Sequence, residues 1–330
     1  MKTIKFIDLF SGIGGFRIAV ESIKKIKSEC VFSSDIDKWA CETYKQNFGD
    51  YPLSDIKIID EKNIPAHDFL CAGFPCQAFS IAGYRKGFQD TRGTLFFDIE
   101  RILRYHLPKA FLLENVKGLV NHQKGKTLNV ILNTLALKIN GNINKERFEN
   151  CLNYNVYYDI LNSKNFGVPQ NRERIYIIGF KDSVGKFEFP KQSKNIVDIS
   201  AVLENNNIKS DITETAKFNI ENNLKKWAAG RDIISKDFLL AYEIRKLRCT
   251  FRNDGLSPCL TAKMGTGGNN VPVLVKHMRK LSTRECLKIQ GYPDWFVIKE
   301  NNSQSYKQIG NSVSVPVIRK IAEEILAKLV

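Results

Sequence analysis

The stretch Phe6-Ile-Asp-Leu-Phe-Ser-Gly-Ile-Gly-Gly-Phe-Arg17 decides the fold class of this 330-residue chain. Its apolar first half predicts a buried strand over residues 4–10, and a helical pattern continues after the glycines to about residue 27. Glycine at a strand-to-helix turn lets the backbone approach a ligand and take positive φ, although a tight turn without a ligand would show the same pattern. The spacing is Gly-x-Gly-Gly, so the Gly-x-Gly-x-x-Gly fingerprint of dinucleotide binding is absent.

Strands and helices continue to alternate along the first half of the chain. The patterns predict further strands over residues 30–34, 68–72, 110–114 and 174–180, and helices over residues 38–48 and 95–105. This alternation is typical of a mostly parallel sheet that helices cover on both faces. Ligands of such sheets bind at the carboxyl ends of the strands, so the residues that follow each strand are the candidates for chemistry.

The pattern changes after about residue 190. Residues 191–280 are rich in Asn, Lys and Gly and have poor periodicity, and helical patterns return over residues 282–290 and 315–329. We therefore expect a larger domain formed by residues 1–190 and 303–330. Residues 191–302 are expected to form a smaller, irregular domain with a hinge.

The charge of the chain indicates an acidic partner. The net charge is +15, and residues 225–280 alone contain twelve basic and four acidic residues. Nucleic acid is the first candidate for a surface of this kind, although a lysine-rich solvated surface would give the same count.

The cysteine spacing argues against a metal site. None of the eight cysteines forms a Cys-x-x-Cys pair, and no His-rich tract accompanies them. This pattern predicts reduced thiols and no bound metal. No apolar run reaches the length of a membrane span, so we expect no membrane partner. We also expect a monomeric, cytoplasmic protein.

The second predicted strand ends in Ser33-Ser34-Asp35-Ile36-Asp37. Asp35 is placed to accept hydrogen bonds from both ribose hydroxyls of a nucleoside. Asp37 is expected to be the N-cap of the helix that begins at Lys38. Together with the glycine-rich turn, this pattern predicts a nucleoside cofactor that lacks a diphosphate.

The third predicted strand leads into Leu70-Cys-Ala-Gly-Phe-Pro-Cys-Gln-Ala-Phe-Ser80. Cys71 fits a buried structural role, whereas Cys76 lies on a loop at the carboxyl edge of the sheet. A loop thiol there is a candidate nucleophile if its pKa is lowered. Residues 81–93 contain three glycines and four charged side chains, which is typical of a loop that closes over a substrate.

Charged residues stand at the ends of two other strands. Glu114 ends a buried apolar strand, where an unpaired carboxylate is rarely structural. Arg172 and Arg174 lie on the same side of a strand start by the period of two. An ion pair with Glu173 or with another surface carboxylate is the alternative explanation for the arginines.

Read together, these segments resemble the cytosine-C5 DNA methyltransferases, especially the small bacterial modification enzymes. The Phe-Pro-Cys-Gln motif is highly specific for that family. The similarity covers most of the chain outside about residues 182–278, where the family holds its variable target-recognition region. The matching blocks follow the family's order and are Asp8-Leu-Phe-Ser-Gly-Ile-Gly-Gly15, Gly73-Phe-Pro-Cys-Gln-Ala-Phe-Ser80, Glu114-Asn-Val116, Gln170-Asn-Arg-Glu-Arg174, Arg284-Glu-Cys-Leu-Lys-Ile-Gln-Gly-Tyr-Pro293 and Gly310-Asn-Ser312.

The resemblance implies an α/β fold of the S-adenosylmethionine-dependent, Rossmann-like kind. Its mixed sheet would have helices on both faces, and a smaller irregular target-recognition domain would be attached. The cofactor would be S-adenosylmethionine, with S-adenosylhomocysteine as product. Close relatives often have an aromatic residue at Ile36, so stacking on the adenine would be weaker here. The implied cofactor-binding residues are Phe10, Gly12, Gly14, Gly15, Asp35, Ile36, Asp55, Ile56, Pro75, Leu95, Asn311 and Ser312.

The resemblance also implies a reaction. Cys76 would add to C6 of a cytosine that is flipped out of duplex DNA. Glu114, if protonated, would donate to N3 and accept from the 4-amino group, and Arg172 would stabilise charge at O2. Arg174 would support the loop or the thiolate. The base that removes the C5 proton is not identified.

Specific double-stranded DNA is therefore the expected partner. Residues 256–268 could read base edges, since glycines at positions 265, 267 and 268 suit close approach to DNA, although a flexible linker would share this composition. A restriction-modification system with a companion endonuclease is the expected setting. The alternatives are a transfer-RNA cytosine-C5 methyltransferase and an inactive DNA-binding relative, whose catalytic blocks should be damaged. A nicotinamide oxidoreductase would need the missing glycine spacing.

Overall fold

Eight strands of the computed structural model form one sheet at the centre of the molecule. The structure describes residues 3–75, 95–204, 212–229, 239–266, 270–299 and 303–330. The strands are β1 Ile4–Leu9, β2 Ser28–Ser34, β3 Phe69–Gly73, β4 Ala110–Val116, β5 Ala136–Ile139, β6 Asn142–Ile143, β7 Tyr154–Asn162 and β8 Glu173–Phe180. Their order in the sheet is β2-β1-β3-β4-β8-β7-β5-β6.

The sheet is mixed, as the resemblance implied. Strands β1 to β4 pair in parallel, which agrees with the alternation of strands and helices in that part of the sequence. Strand β8 runs antiparallel to both β4 and β7. Its antiparallel course against β7 follows from the connection between these two strands, because residues 163–172 are too few for the helical crossover that a parallel strand requires.

The second helix begins at a side-chain cap, as the sequence predicted. Asp37 caps the second helix, because its Oδ1 accepts hydrogen bonds from the amides of Trp39 (3.0 Å) and Ala40 (3.3 Å). This confirms the predicted N-cap. The described helices are α1 Gly15–Glu21, α2 Lys38–Phe48, α3 Leu95–His106, α4 Lys126–Leu135, α5 Glu214–Ala228, α6 Thr283–Gln290, α7 Ser303–Asn311 and α8 Val315–Leu326.

Apolar side chains cover both faces of the sheet. Along β1, Ile4 and Phe6 pack on the face that α1 and α8 cover, and Ile7 and Leu9 pack on the opposite face with α3 and α4. This alternation follows from the period of two in a strand. Among the described helices, none is both long and apolar enough to cross a membrane.

A second, antiparallel sheet lies in the region of poor periodicity. Its strands are β9 Leu240–Tyr242, β10 Thr250–Arg252, β11 Val273–Leu274 and β12 Arg279–Lys280, in the order β10-β9-β11-β12. Apolar residues of α5, such as Ile220, pack with residues of this sheet, such as Phe251, in a separate small core. The strands have only two or three residues each, which is too short to produce a readable alternation. The division at residues 191 and 302 stays a prediction.

Candidate active site

The glycine-rich turn after β1 is held by the end of β2. The amide of Gly12 donates to Asp35 Oδ2, and the amide of Asp37 donates to Asp35 Oδ1, both at 2.8 Å. Phe10, Gly12 and Gly14 all have positive φ, at 57°, 53° and 83°. Glycine takes this conformation freely, whereas for Phe10 it costs about 1 kcal/mol or more. The turn and Asp35 therefore form one rigid unit.

The two glycines that begin α1 are required by close packing. A Cβ on Gly14 would overlap the Phe48 ring. A Cβ on Gly15 would lie 2.7 Å from Val313 Cγ2 and 2.9 Å from the Tyr292 hydroxyl. The turn is thus pressed against the C-terminal segment that follows α7, where Asn311 and Ser312 were predicted to close the pocket.

Asp35 keeps a partly buried carboxylate at the mouth of this turn. Burial raises the pKa of Asp35, and the hydrogen bonds from Asp37 and Gly12 oppose that shift. The side chain of Ile36, the next residue, is 71% exposed. An acceptor beside an open apolar side chain is the arrangement that a ribose and its attached base need.

The segment with Asp55 and Ile56 lies beside Asp35. The amide of Ser54 donates to the carbonyl of Asp35 at 2.9 Å. Ile56 is buried, and its carbonyl accepts from Arg101 Nη2 at 2.8 Å. Leu95, at the start of α3, packs on the same apolar cluster as Ile56. The structure therefore brings these predicted cofactor residues to one end of the sheet.

The residues around the turn fit a nucleoside cofactor. A Cβ at Gly12 would meet nothing within 4 Å, so the turn leaves open space beside the residue whose amide donates to Asp35. Within the described ranges, the buried Ser11 hydroxyl finds no hydrogen-bond partner, so it is available to a polar group of a ligand. Those ranges contain no cluster of three or more His, Cys, Asp or Glu residues that could hold a metal ion.

Glu114 and Arg174 form an ion pair at the carboxyl end of β4. Arg174 Nε lies 3.1 Å from Glu114 Oε1, and both side chains are about nine-tenths buried. The pair arises because β8 runs antiparallel to β4 and aligns Arg174 with Val116, beside Glu114. Burial opposes the charge of Arg174, but the Glu114 carboxylate, Cys259 and Tyr176 together outweigh burial and raise the pKa of Arg174 above its usual value.

Arg172 has different partners from Arg174. Its Nη1 donates to the carbonyl of Leu260 at 2.7 Å, and its Nη2 donates to the carbonyl of Ser312 at 2.6 Å. Burial and the neighbouring Arg174 lower the pKa of Arg172. Neither arginine pairs with Glu173 through its side chain; Glu173 instead pairs with Lys117. The alternative explanation of an ion pair with Glu173 is therefore wrong.

Cys76, the loop over residues 81–93 and the glycines at 267 and 268 lie outside the described residues. Pro75 ends the described segment that leads toward Cys76. Asn115 Nδ2 donates to the carbonyl of Phe74 at 2.9 Å, which ties that segment to the end of β4. A Cβ on Gly73 would lie 3.8 Å from Glu114 Oε2, so the carboxylate faces the chain three residues before Cys76.

Two residues of this region had no predicted role. Cys259 Sγ lies 3.6 Å from Arg172 Nη1 and 3.7 Å from Arg174 Nη2, although it comes from the variable part of the chain. The Tyr292 hydroxyl, which lies in the matching block that ends at Pro293, forms a hydrogen bond with Ser312 Oγ. Both contacts join segments far apart in sequence, and no local pattern predicts such contacts. Cys71 is fully buried, and burial raises its pKa, which fits its expected structural role.

The chain belongs to the C-5 cytosine-specific DNA methylase family, whose model matches residues 4–327. It is therefore an enzyme of the DNA (cytosine-5-)-methyltransferase class. It is 43% identical to the type II methyltransferase M.HpaII of Haemophilus parainfluenzae, over 98% of this chain and 89% of that protein. It is 40% identical to the type II methyltransferase M.HhaI of Haemophilus parahaemolyticus, over 99% of this chain and 95% of that protein.

Solved structures confirm the fold class. The Dnmt2 methyltransferase of S. pombe superposes with a TM-score of 0.68 at 20% identity, over 99% of both chains. The methyltransferase EhMeth of Entamoeba histolytica superposes with a TM-score of 0.67 at 21% identity, over the whole of both chains. At these identities the likeness establishes the architecture alone, which is the predicted Rossmann-like α/β fold.

Proposed function

We propose that this protein methylates C5 of a cytosine flipped out of a specific duplex DNA sequence, through a covalent bond between Cys76 and C6. The observation that supports the proposal is the buried Glu114–Arg174 pair at the sheet edge, which faces the segment leading to Cys76. The glycine-rich cradle lies at the same edge. The pair and the cradle together provide a polar pocket for a pyrimidine beside a pocket for a nucleoside cofactor.

The covalent step makes C5 nucleophilic. The Cys76 thiolate forms a bond to C6, and the electron pair of the C5–C6 double bond becomes available at C5 while negative charge builds at N3 and O2. After methyl transfer, a base takes the C5 proton, the C5–C6 double bond forms again and the thiolate leaves. The flipped position is necessary because stacked neighbours cover C6 in a duplex.

Glu114 is suited to recognise cytosine. A protonated Glu114 donates to N3, and its other oxygen accepts from the 4-amino group. Thymine has a proton on N3 and an oxygen at position 4, so both contacts would become unfavourable. Arg172 would stabilise charge at O2: both of its Nη atoms donate to backbone carbonyls, which fix the side chain, while its buried Nε has no hydrogen-bond partner among the described residues.

S-adenosylmethionine would supply an electrophilic methyl group at this edge of the sheet. Asp35 would hold the ribose, and Ile36 and Ile56 would flank the adenine, with Asp55 at its amino edge. Phe10, Pro75 and Leu95 would complete the apolar wall. Gly12, Gly14 and Gly15 would admit the methionine part, with Asn311 and Ser312 closing over it.

The second sheet and its neighbouring loops are proposed to contact DNA. Lys225 and Lys226 are exposed on α5, and this region carries the largest excess of basic residues in the chain. We further propose a cytoplasmic, monomeric enzyme that acts as the modification half of a restriction-modification system. The relatives M.HpaII and M.HhaI are both named type II methyltransferases, which supports that setting.

Cys76→Ser tests the covalent mechanism. We expect methylation of duplex DNA to fall by at least about 10³-fold, because serine is a far weaker nucleophile, while specific DNA binding changes little. Cys151→Ser is the matched control, because Cys151 is buried beyond β6 and should leave activity unchanged. Duplex DNA with 5-fluorocytosine at the target should form a denaturation-resistant adduct with the unmodified protein only. Appreciable turnover by Cys76→Ser would overturn the mechanism.

Parallel assays with labelled S-adenosylmethionine on duplex DNA and on transfer RNA test the substrate. Label should enter DNA, at a site that bisulfite sequencing of DNA from cells producing the protein would identify. Label that entered only transfer RNA would overturn the proposed substrate, and no label in either would indicate an inactive relative.

A further inference from the structure

Five residues from four segments form a closed, buried ring of hydrogen bonds behind the proposed active site. Arg172 donates to the carbonyls of Leu260 (2.7 Å) and Ser312 (2.6 Å). The amide of Leu260 donates to Gln170 Oε1, and Gln170 Nε2 donates to Gln290 Oε1, both at 3.0 Å. Gln290 Nε2 lies 3.5 Å from the carbonyl of Ser312, which closes the ring. We call this set the buried polar ring.

The buried polar ring is shielded from water. Gln170 and Gln290 are fully buried, and Arg172 and Ser312 are 4% and 7% exposed. A buried amide that loses its partner leaves a second polar group unsatisfied, which is more costly than the loss of an exposed hydrogen bond. The ring therefore favours one relative position of its four segments.

Those segments belong to two different parts of the proposed function. Ser312 follows Asn311, and both are proposed to close over the cofactor. Leu260 lies in residues 256–268, which are proposed to approach DNA. Close packing reinforces the connection, because a Cβ on Gly310 would overlap the backbone of Thr261. A Cβ on Gly265 would similarly overlap the carbonyl of Ser303.

We propose that Gln170 and Gln290 are positioning residues that couple cofactor binding to DNA binding through the buried polar ring. The inference rests on the proposed function. A cofactor that orders residues 311–312 also orders Leu260 through the two amides, and DNA that contacts the loop of Leu260 orders residues 311–312 in return. Such a coupling is reciprocal, so each ligand must tighten the other by the same factor.

Gln290→Met tests this inference because methionine has a similar volume and cannot form the hydrogen bonds of Gln290 with Gln170, Ile309 and Ser312. The measurement is the dissociation constant of duplex DNA containing the methylated site, with and without saturating S-adenosylhomocysteine. In the unmodified protein S-adenosylhomocysteine should tighten DNA binding by at least about fivefold. In Gln290→Met the factor should fall below about twofold. Gln170→Met should have the same effect and serves if Gln290→Met does not fold.

Asn144→Leu is the matched control for the loss of a buried amide. Asn144 Nδ2 donates to Asn133 Oδ1 (3.1 Å) and to the carbonyl of Ala136 (3.2 Å), next to the edge strand β6. Asn144→Leu should lower the urea midpoint of unfolding as the glutamine variants do. It should keep the factor by which S-adenosylhomocysteine tightens DNA binding in the unmodified protein.

A glutamine variant that keeps the full factor, or an unmodified protein with a factor near one, overturns the inference. Failure of the proposed function is distinguishable, because the unmodified protein would then not methylate DNA.

Discussion

Arg172 and Arg174 lie two residues apart, yet the structure gives them different chemical environments. Arg174 pairs with the Glu114 carboxylate, which keeps its charge next to the proposed base pocket. Arg172 is nearly buried and is committed to the carbonyls of Leu260 and Ser312. The period of two places both side chains on one side of the strand start, but only the neighbouring segments determine the partners of each arginine.

Glu114→Gln should lower kcat by about 10²-fold or more and leave DNA affinity within a few-fold, because an amide cannot transfer a proton to N3. Steady-state methylation and DNA-binding measurements check this expectation. Glu188→Gln is the matched control, since Glu188 pairs with Lys186 on the exposed surface at 2.7 Å. A Glu114→Gln enzyme with nearly full kcat would remove Glu114 from the proposed chemistry.

His67 predicts a pH effect on stability. Burial lowers the pKa of His67 from 6.5 to about 4, so between these values the unfolded chain binds more protons than the folded protein. Stability from this group is present above pH 6.5 and is lost as the pH falls toward 4. The free energy of unfolding should fall between pH 7 and pH 5, and in His67→Asn this fall should be about 1–2 kcal/mol smaller. Urea unfolding of both proteins at pH 7 and pH 5 measures this difference. An equal decrease in the two proteins would contradict the assignment of the effect to His67.

At the level of elements, α2 is attached to the C-terminal segment by polar contacts. Thr43 Oγ1 donates to Gln308 Oε1 at 2.8 Å inside the protein. Asn47 and Val297 exchange two hydrogen bonds of 2.8 Å. Lys307 Nζ lies 2.7 Å from Asp37 Oδ2. Because Asp37 directly follows Ile36, the position of α7 sets the position of one proposed wall of the cofactor pocket.

Lys307→Met should raise the dissociation constant of S-adenosylmethionine about threefold to tenfold, with kcat at saturating cofactor nearly unchanged. The reason is that Asp37 loses the partner that holds its loop against α7. Partial burial opposes ionisation of Asp37, but the hydrogen bonds that it accepts, including that from Lys307, lower its pKa below the usual value. Calorimetric titration measures the constant. Lys320→Met is the control, because it removes a 2.8 Å pair with Glu323 on the solvent-facing side of α8. Equal cofactor affinities for the two variants would disprove the role of Lys307.

For the whole molecule, the net charge of +15 predicts strongly salt-dependent DNA binding. Each phosphate that a basic residue contacts releases counterions, so affinity should fall at least about tenfold between about 50 and 200 mM salt. Replacing exposed Lys225 and Lys226 by glutamate should weaken binding and make the salt dependence shallower. The exposed pair Lys24 and Lys25, beyond α1, is the matched control. A flat salt response, or equal effects of the two double variants, would contradict a basic DNA-binding surface on the second sheet.

Much of the fold could be read from local patterns. Strands β1 to β4 and helices α2 and α3 lie within a residue or two of their predicted bounds, because each buries one face with a regular period. Helix α1 ends at Glu21 rather than near residue 27, since Ser22 closes its last turn and the next strand begins at Ser28. Strands β9 to β12 escaped prediction because two or three residues carry no measurable period.

The sequence by itself determined strands β1 to β4 and β8, the glycine-rich turn, the Asp37 cap and the family blocks, because each depends on neighbours a few residues away. Tertiary structure alone decided the position of β8 between β4 and β7 and the pairing of Glu114 with Arg174. It also decided the contacts of Gln170 with Leu260 and Gln290, which lie 90 and 120 residues away. Such contacts depend on how distant segments pack, and packing is a property of the whole folded chain.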